Sequence, residues 1–530
     1  MSGEARAGTG APAERAGLAL AILLCALLAW PLRHYVTDDT FIHLQYAHHL
    51  ARGDGLVFNP GERVYGATSP LWVALLADAM AMGADGLVAG KLLGAAATLA
   101  AVLLWFALAR RTLAHPWLPA LSTICWAGHA WMLRWSLSGM ETPLAVCLVL
   151  AGALAFASSR PWGERGGWAS LLWALAALAR PECALLLPIW GVLLIADRGP
   201  RAGALAAGAL WPGALVLGLW LAFARAWFGS FWPNTLAAKT AGGEGPGYAL
   251  ELLLRQGGIV ATTDGVLAAV LMAALAARAM RGERWDFRPS VRWLPWVWLV
   301  AVPLLYMVRG VTVVSRYLVP LLPILAWAAW RSLDGWLAGT PAPAGEPRPS
   351  LAAGPARGDG RQGRVLAVAI ASLALAQNLW AWQRVVRPQV DSFTAGMHAS
   401  LIPWGRWFAE HTASDAVVAA PDIGALGYGS QRRVLDLAGL VTPAMVPILR
   451  TMSQEDATAR FAFVSFARPD YLVDRAPRAW DLEQRSAWAA SLVRLGHATL
   501  PNLGVARPAP AVYSFYRIDW AAYDSLARSR

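Results

Sequence analysis

Residues 37–72 read TDDTFIHLQYAHHLARGDGLVFNPGERVYGATSPLW, a polar, turn-rich segment enclosed by long apolar stretches. Ahead of it, 15–35 is an apolar span with no small-residue cleavage site, which reads as an uncleaved membrane anchor. Further apolar spans follow at 87–109, 115–134, 141–158, 166–180, 183–197, 202–225, 258–280, 291–308, 314–332 and 364–384. A helix needs about 20 residues to cross the hydrocarbon, so the set predicts a polytopic α-helical membrane protein with about 11 transmembrane helices. The apolar piece 71–82 is assigned to a helix on, or dipping into, the outer surface. Counting it as a span would put Arg110 and Arg111 outside and break the charge pattern.

Composition agrees with a bilayer. Of 530 residues, 57% are hydrophobic and only 15% charged, whereas soluble proteins carry about a quarter of their residues as charges. This excludes a cytosolic enzyme, a secreted disulfide scaffold and a disordered interaction protein. The 29 tryptophans suit a chain with two headgroup interfaces. Cys25, Cys125, Cys147 and Cys183 all fall in apolar segments, so they imply neither a disulfide framework nor a zinc site.

The net charge of +12 has a location. From Pro388 onward 14 Arg meet 13 Asp and Glu, so nearly all the excess precedes it. It gathers in short loops at 110–111, 160–165, 198–201, 278–292 and 348–364, which the eleven-span reading puts on one, cytoplasmic side. The basic balance therefore reports topology, and no nucleic-acid partner is expected.

The same parity places 36–86, the turn at 138–142, the loop 226–257 and everything after about 385 outside. Residues 1–14 read as a disordered cytoplasmic N-terminus ahead of a membrane domain at 15–384. The Pro/Gly/Ala-rich run 338–363 reads as a flexible cytoplasmic linker. Beyond it, 388–530 predicts a soluble extracytoplasmic α/β domain, with strands at 416–420 and 512–519 and a helical stretch at 480–495.

Chemistry concentrates after the first span. Asp38 and Asp39 open an interfacial helix, where Asp serves as an N-cap or first-turn residue. Adjacent carboxylates also repel, which raises one pKa and suits a general base, so capping and catalysis both stand. His43, His48 and His49 lack the i, i+4 spacing of a metal pair and read as polar-face residues that could meet a phosphate or sugar hydroxyls. Glycines 53, 55, 61 and 66 make a structured loop whose spacing fits neither a Rossmann nor a P-loop nucleotide site.

The run 38–72 resembles the first outer loop of a bacterial family of polytopic GT-C glycosyltransferases. That family includes the terminal β-(1→2)-arabinofuranosyltransferases of mycobacterial cell walls. The likeness continues in LSGMETPL (137–144), ALARPE (177–182), WFGSFWPNTLAAKT (227–240), RYLVPLLP (316–323) and VVAAPDIGALGY…RVLDLAGL (417–440). Two positions depart: Gln45 stands where the family often has Arg, and Tyr65 where an acidic residue is usual.

The resemblance implies an inverting transferase that moves a sugar, D-arabinofuranose in the characterised relatives, from a polyprenyl-phosphate donor to a cell-envelope glycan. It would work on the outer face of the bacterial cytoplasmic membrane, with the lipid bilayer itself as a partner. Asp38, the slightly favoured base, or Asp39 would take the acceptor proton, and basic groups would meet the departing phosphate. Lys239, one of two lysines in the chain, is the leading phosphate candidate, against a snorkelling role. Arg180, Glu182, Arg316, His43, Asn234 and Glu141 are the further donor-site candidates, each with a structural alternative such as an ion pair, an interfacial anchor or a cap. Asp422 and Tyr428 are candidate acceptor contacts, with glycine turns as their alternative. No cofactor and no metal site is expected. The competing classes are a transporter or flippase of a lipid-linked sugar, a membrane scaffold, and a GT-C enzyme acting on lipid or protein. The first predicts repeated halves and midplane charges, and neither is evident.

Overall fold

The computed structural model describes residues 11–158, 166–198, 202–239, 248–282, 293–338, 361–501 and 509–529. Helices α1 (Ala11–Ala29), α2 (Asp38–Arg52), α3 (Pro70–Ala81), α4 (Gly86–Thr112), α5 (Leu118–Ala127) and α6 (Ala130–Ser136) build the first part of the membrane domain. They are followed by α7 (Thr142–Ser158), α8 (Gly167–Ala179), α9 (Leu186–Arg198), α10 (Ala202–Phe228), α11 (Asn234–Lys239) and α12 (Tyr248–Met280). The domain closes with α13 (Leu294–Val308), α14 (Ser315–Leu318), α15 (Leu322–Leu337) and α16 (Arg361–Ala381).

Among the described residues helix falls within each of the eleven apolar spans, but five stretches are both long and apolar enough to cross a bilayer. These are Pro12–Leu32, Gly86–Thr112, Ala207–Phe228, Tyr248–Met280 and Arg361–His411. Local chemistry explains part of the difference. The span 115–134 breaks at Gly128 and His129 into α5 and α6, and 314–332 breaks around Pro320 into α14 and α15. The outer-surface segment 71–82 is α3, a 12-residue helix whose Trp72, Val73, Leu76 and Ala77 are buried. Helix begins at Ala11, inside the segment read as disordered, while residues 1–10 and most of the linker, 339–360, lie outside the described residues.

The last span does not end at the expected border. Helix runs from Arg361 to His411, through a π-helical turn at Trp382–Val386, α17 (Arg387–Ala399) and α18 (Leu401–His411). Pro388 falls in the first turn of α17, where a missing N–H breaks little.

Beyond α18 lies a five-stranded sheet of order β2-β1-β3-β5-β4. β1 (Val417–Ala420) lies parallel to both β2 (Arg433–Asp436) and β3 (Tyr471–Ala476). β5 (Ala511–Ile518) runs antiparallel between β3 and β4 (Leu492–Leu500). The strands expected at 416–420 and 512–519 are β1 and β5. The helix expected at 480–495 is instead a single turn, Asp481–Arg485, then a 3-10 turn and the start of β4. There β4 gains eight pairings with β5 that an isolated helix cannot match.

The sheet domain is clamped to the segment 53–72. Asn59 imitates a strand residue: its Nδ2 donates to the Val434 carbonyl at 2.9 Å and its Oδ1 accepts from the Val434 N–H at 3.0 Å. The outer edge of β2 is thereby paired. Arg433 adds a bond to Glu62 at 2.8 Å, and Phe58 packs on Gly427. α18 crosses the helix after β1, α19 (Gly424–Ser430), at Gly405 and Gly429, where a Cβ on Gly405 would meet backbone at 2.6 Å.

Replacing Asn59 with Leu strands both Val434 groups, at about 1–3 kcal/mol each. We expect the Asn59→Leu protein to release a C-terminal fragment at a lower temperature under limited proteolysis. An unchanged release temperature would show that the pairing does not hold the domains together.

Candidate active site

The first turn of α2 is capped from outside. Thr37 accepts the Thr40 N–H at 3.2 Å, the two hydroxyls pair at 3.0 Å, and Thr40 reaches the Ser138 carbonyl at 3.0 Å. Capping of their own helix is therefore not the task of Asp38 and Asp39. Neighbours on a helix point about 100° apart, and the two carboxylates find different partners.

Asp38 caps a helix of the other domain. Its Oδ2 accepts the Gly424 N–H and its Oδ1 the Ala425 N–H, both at 2.8 Å. Only glycine permits this approach, because a Cβ at Gly424 would penetrate the Asp38 carbonyl. Enclosure between the domains, then the nearby Asp422 charge, push the Asp38 carboxyl up to about 7, against the opposing pull of the two N–H groups. Asp39 instead pairs with Arg316 of α14.

Both aspartates line a cavity of about 420 Å³ between the membrane helices and the sheet domain. One part of its wall is apolar, with Val314, Phe393, Met397, Leu401 and Leu500. The polar part holds three guanidinium groups: Arg316, Arg134 and Arg475. Arg316 has Asp39, and Arg475 has Asp422 at 2.6 Å, with the Tyr513 hydroxyl donating to the same oxygen at 2.7 Å. Arg134 is 4% exposed and, among the described residues, bonds only neutral oxygens, Tyr35 Oη at 3.2 Å and Gln389 Oε1 at 2.7 Å. Tyr35, Trp131 and Trp135 surround it. No carboxylate among the described residues pairs with Arg134.

A second cavity of about 60 Å³ shares Asp39, Arg316 and Leu440 with the first. His43, Glu141 and Arg180 line it. Arg180 bridges Glu141 at 2.6 Å and Glu182 at 2.8 Å, and His43 Nδ1 stands 3.6 Å from Glu141. Thus five candidates, Asp39, His43, Glu141, Arg180 and Arg316, are gathered in one place, with Glu182 behind Arg180.

Other candidates are placed elsewhere. Asn234 joins the loop after α10 to the sheet domain, donating to the Gly439 carbonyl at 2.6 Å and accepting no sugar-facing role in either cavity. Lys239 ends α11, but its side chain lies outside the described residues. Tyr428 lies on α19 against Phe41 and His48, lining neither cavity, whereas Asp422 lines the large one. His43 and His49 are buried rather than on a polar face, because α3 and α19 enclose α2. His49 is spent on Asp54 at 2.9 Å and Gln45 at 3.0 Å. Both departures from the family pattern are also internal: Gln45 accepts from Gln431 at 3.0 Å, and Tyr65 stacks on Phe228 and accepts from Trp220 at 2.9 Å.

Three cavity residues were not singled out from sequence. Arg134 carried a signal, a lone cation at the edge of an apolar span, and intramembrane charges commonly mark function. Arg475 and Tyr513 carried none, since strand register alone brings them together.

Gly424→Ala tests the interdomain contact. The inserted methyl displaces Asp38, so we expect loss of the cavity's function and a lowered thermal midpoint, with membrane insertion intact. A fully active Gly424→Ala protein would contradict the geometry.

Residues 391–516 match a family described as a domain of unknown function, DUF8728. A terminal β-(1→2)-arabinofuranosyltransferase of Corynebacterium glutamicum is 29% identical over 247 residues, covering 39% of this chain and 34% of that protein. The chain thus matches about a third of that relative's length. The Archaeoglobus fulgidus oligosaccharyltransferase superposes over 87% of this chain and 69% of its own, with TM-score 0.54 and 12% identity. A second structure from that organism, the oligosaccharyltransferase AglB with an inhibitory peptide and a dolichol-phosphate, gives 0.54 at 13% identity, with the same coverage. The chain is therefore a polytopic membrane protein of the GT-C fold that resembles, over part of its length, the terminal arabinofuranosyltransferases.

Proposed function

We propose that this protein is an inverting glycosyltransferase that moves a sugar from a polyprenyl-phosphate donor to a cell-envelope glycan. One observation carries the reading: the large cavity holds two opposite charges that no counter-ion among the described residues cancels. Asp38 is a carboxylate poised near neutrality, and Arg134 is a buried guanidinium without a carboxylate partner among the described residues. A buried cation left uncompensated is costly, and a phosphate relieves that cost.

In this reading the acceptor hydroxyl gives its proton to Asp38 as its oxygen attacks the anomeric carbon. The bond from that carbon to the phosphate oxygen breaks on the opposite face, and polyprenyl phosphate leaves with the electron pair. Arg134, with Arg316 held in place by Asp39, stabilises the charge that develops there. The Arg180–Glu141–Glu182 cluster fixes the wall behind Arg316, with His43 beside it. The apolar wall at Phe393, Met397 and Leu401 suits the first isoprene units. Lys239 is retained as a further proposed phosphate contact on its charge alone. The similarity to an arabinofuranosyltransferase favours arabinofuranose as the sugar, and the neighbour solved with a dolichol-phosphate supports a lipid-phosphate donor. The Arg-rich loops favour a cavity facing the outside of the cytoplasmic membrane. Two guanidinium groups supply the phosphate's counter-charge, and the reading gives a metal no role.

The test is transfer by purified protein in nanodiscs from a panel of polyprenyl-phosphate pentoses and hexoses. We expect Asp38→Asn to lower kcat about 10²–10⁴-fold, the usual worth of a general base. A base must be ionised, so the wild-type rate should rise with pH and level off above about 7. Arg134→Gln should weaken donor use, and EDTA should leave the rate unchanged. Full activity in Asp38→Asn, or a protein that flips the lipid without consuming it, would overturn the proposal.

A further inference from the structure

The sheet domain does more than cover the cavity. Its chain runs from β1 to β2 on one side and then crosses to β3 on the other, so the connections part at the C-terminal ends of β1 and β3. Such a switch point leaves a crevice where α/β sheets bind ligands. Asp422 stands two residues past β1, Arg475 near the end of β3, and Tyr513 directly across from Arg475 on β5. All three open into the cavity that contains Asp38.

The bonding within this group is lopsided. Arg475 Nη1 and the Tyr513 hydroxyl both use Asp422 Oδ2. Among the described residues, Oδ1 of Asp422 takes no bond, and neither do Nε and Nη2 of Arg475. An acceptor oxygen and donor nitrogens thus stand side by side. That pairing suits a hydroxyl, which donates and accepts at once. It suits a phosphate poorly, because Asp422 and Asp38 repel it.

We infer that the domain of unknown function is the acceptor-binding half of the site, its Asp422–Arg475 pair, braced by Tyr513, holding the neutral, hydroxyl-rich sugar end of the acceptor beside Asp38. The inference rests on the transferase reading and adds the acceptor's chemistry and its residues. Asp422 and Arg475 bind the hydroxyls that flank the attacking one, and Tyr513 is a positioning residue that keeps the Asp422 carboxylate turned to the cavity.

The experiment uses the full chain in nanodiscs with an octyl oligofuranoside as acceptor probe and decaprenyl phosphate as donor-side probe. It is run at pH 8.5, because removing the Asp422 charge lets Asp38 ionise at lower pH and would otherwise blur the comparison. Asp422→Asn and Arg475→Gln should each raise the acceptor KM at least tenfold, Tyr513→Phe by less, while the Kd for decaprenyl phosphate stays within twofold. An active enzyme whose acceptor KM is unmoved by both variants overturns the inference and leaves the transferase reading standing. A loss of decaprenyl phosphate binding in step with acceptor use overturns it too, as the mark of a purely structural role. A wild-type protein that binds decaprenyl phosphate but transfers nothing sinks the transferase reading, and the acceptor site with it.

Discussion

The contact of the Asp38 carboxylate with the Gly424 and Ala425 N–H groups is the constraint on which the rest of the structure depends. It fastens the helix after the first span to the helix after β1, and so sets the height of the sheet domain over the membrane helices. The large cavity exists because these two bodies meet along that line. The contact is also in tension with itself. Helix N–H groups favour the anion, while enclosure and Asp422 disfavour it, and the carboxyl settles near 7. A carboxyl raised in this way favours the folded state most below the ordinary range near 4, and loses that contribution as pH rises through about 7. Ionising Asp38 for chemistry therefore costs docking stability, a trade often met at reactive sites.

Charge bookkeeping gives the cavity its direction. Three carboxylates, Asp38, Asp39 and Asp422, face three guanidinium groups, Arg134, Arg316 and Arg475. Two pairs form inside the protein, Asp39 with Arg316 and Asp422 with Arg475. Among the described residues Asp38 and Arg134 remain, a carboxyl and a cation in one enclosed space beside an apolar wall. A donor with an anionic leaving group and a hydrocarbon tail, beside an acceptor that gives up a hydroxyl proton, would satisfy all three features together.

Much of this was legible along the chain, and the rest was not for definable reasons. Apolar runs located most of the described helices of the membrane domain, because burial in lipid writes itself into composition. The Asp pair and the Glu141–Arg180–Glu182 group could be singled out as charges at span ends. The interdomain contact of Asp38 could not, since its partner helix lies nearly four hundred residues away and Thr37 already serves as the local cap. Arg475 and Tyr513 meet only through strand register, and Tyr65, which departs from the family pattern, is held in an aromatic stack. Helix continues across the expected border at Pro388 because proline is harmless in the first turn after a π-helical bend.

The central claim is that this cavity performs a single displacement with one base and no covalent intermediate. The stereochemistry of the product tests it most directly, read by NMR from a polyprenyl-phosphate donor carrying ¹³C at the anomeric carbon. The account predicts a new glycosidic bond of inverted configuration. Retention would require a carboxylate nucleophile where the proposal has a base, and would contradict it.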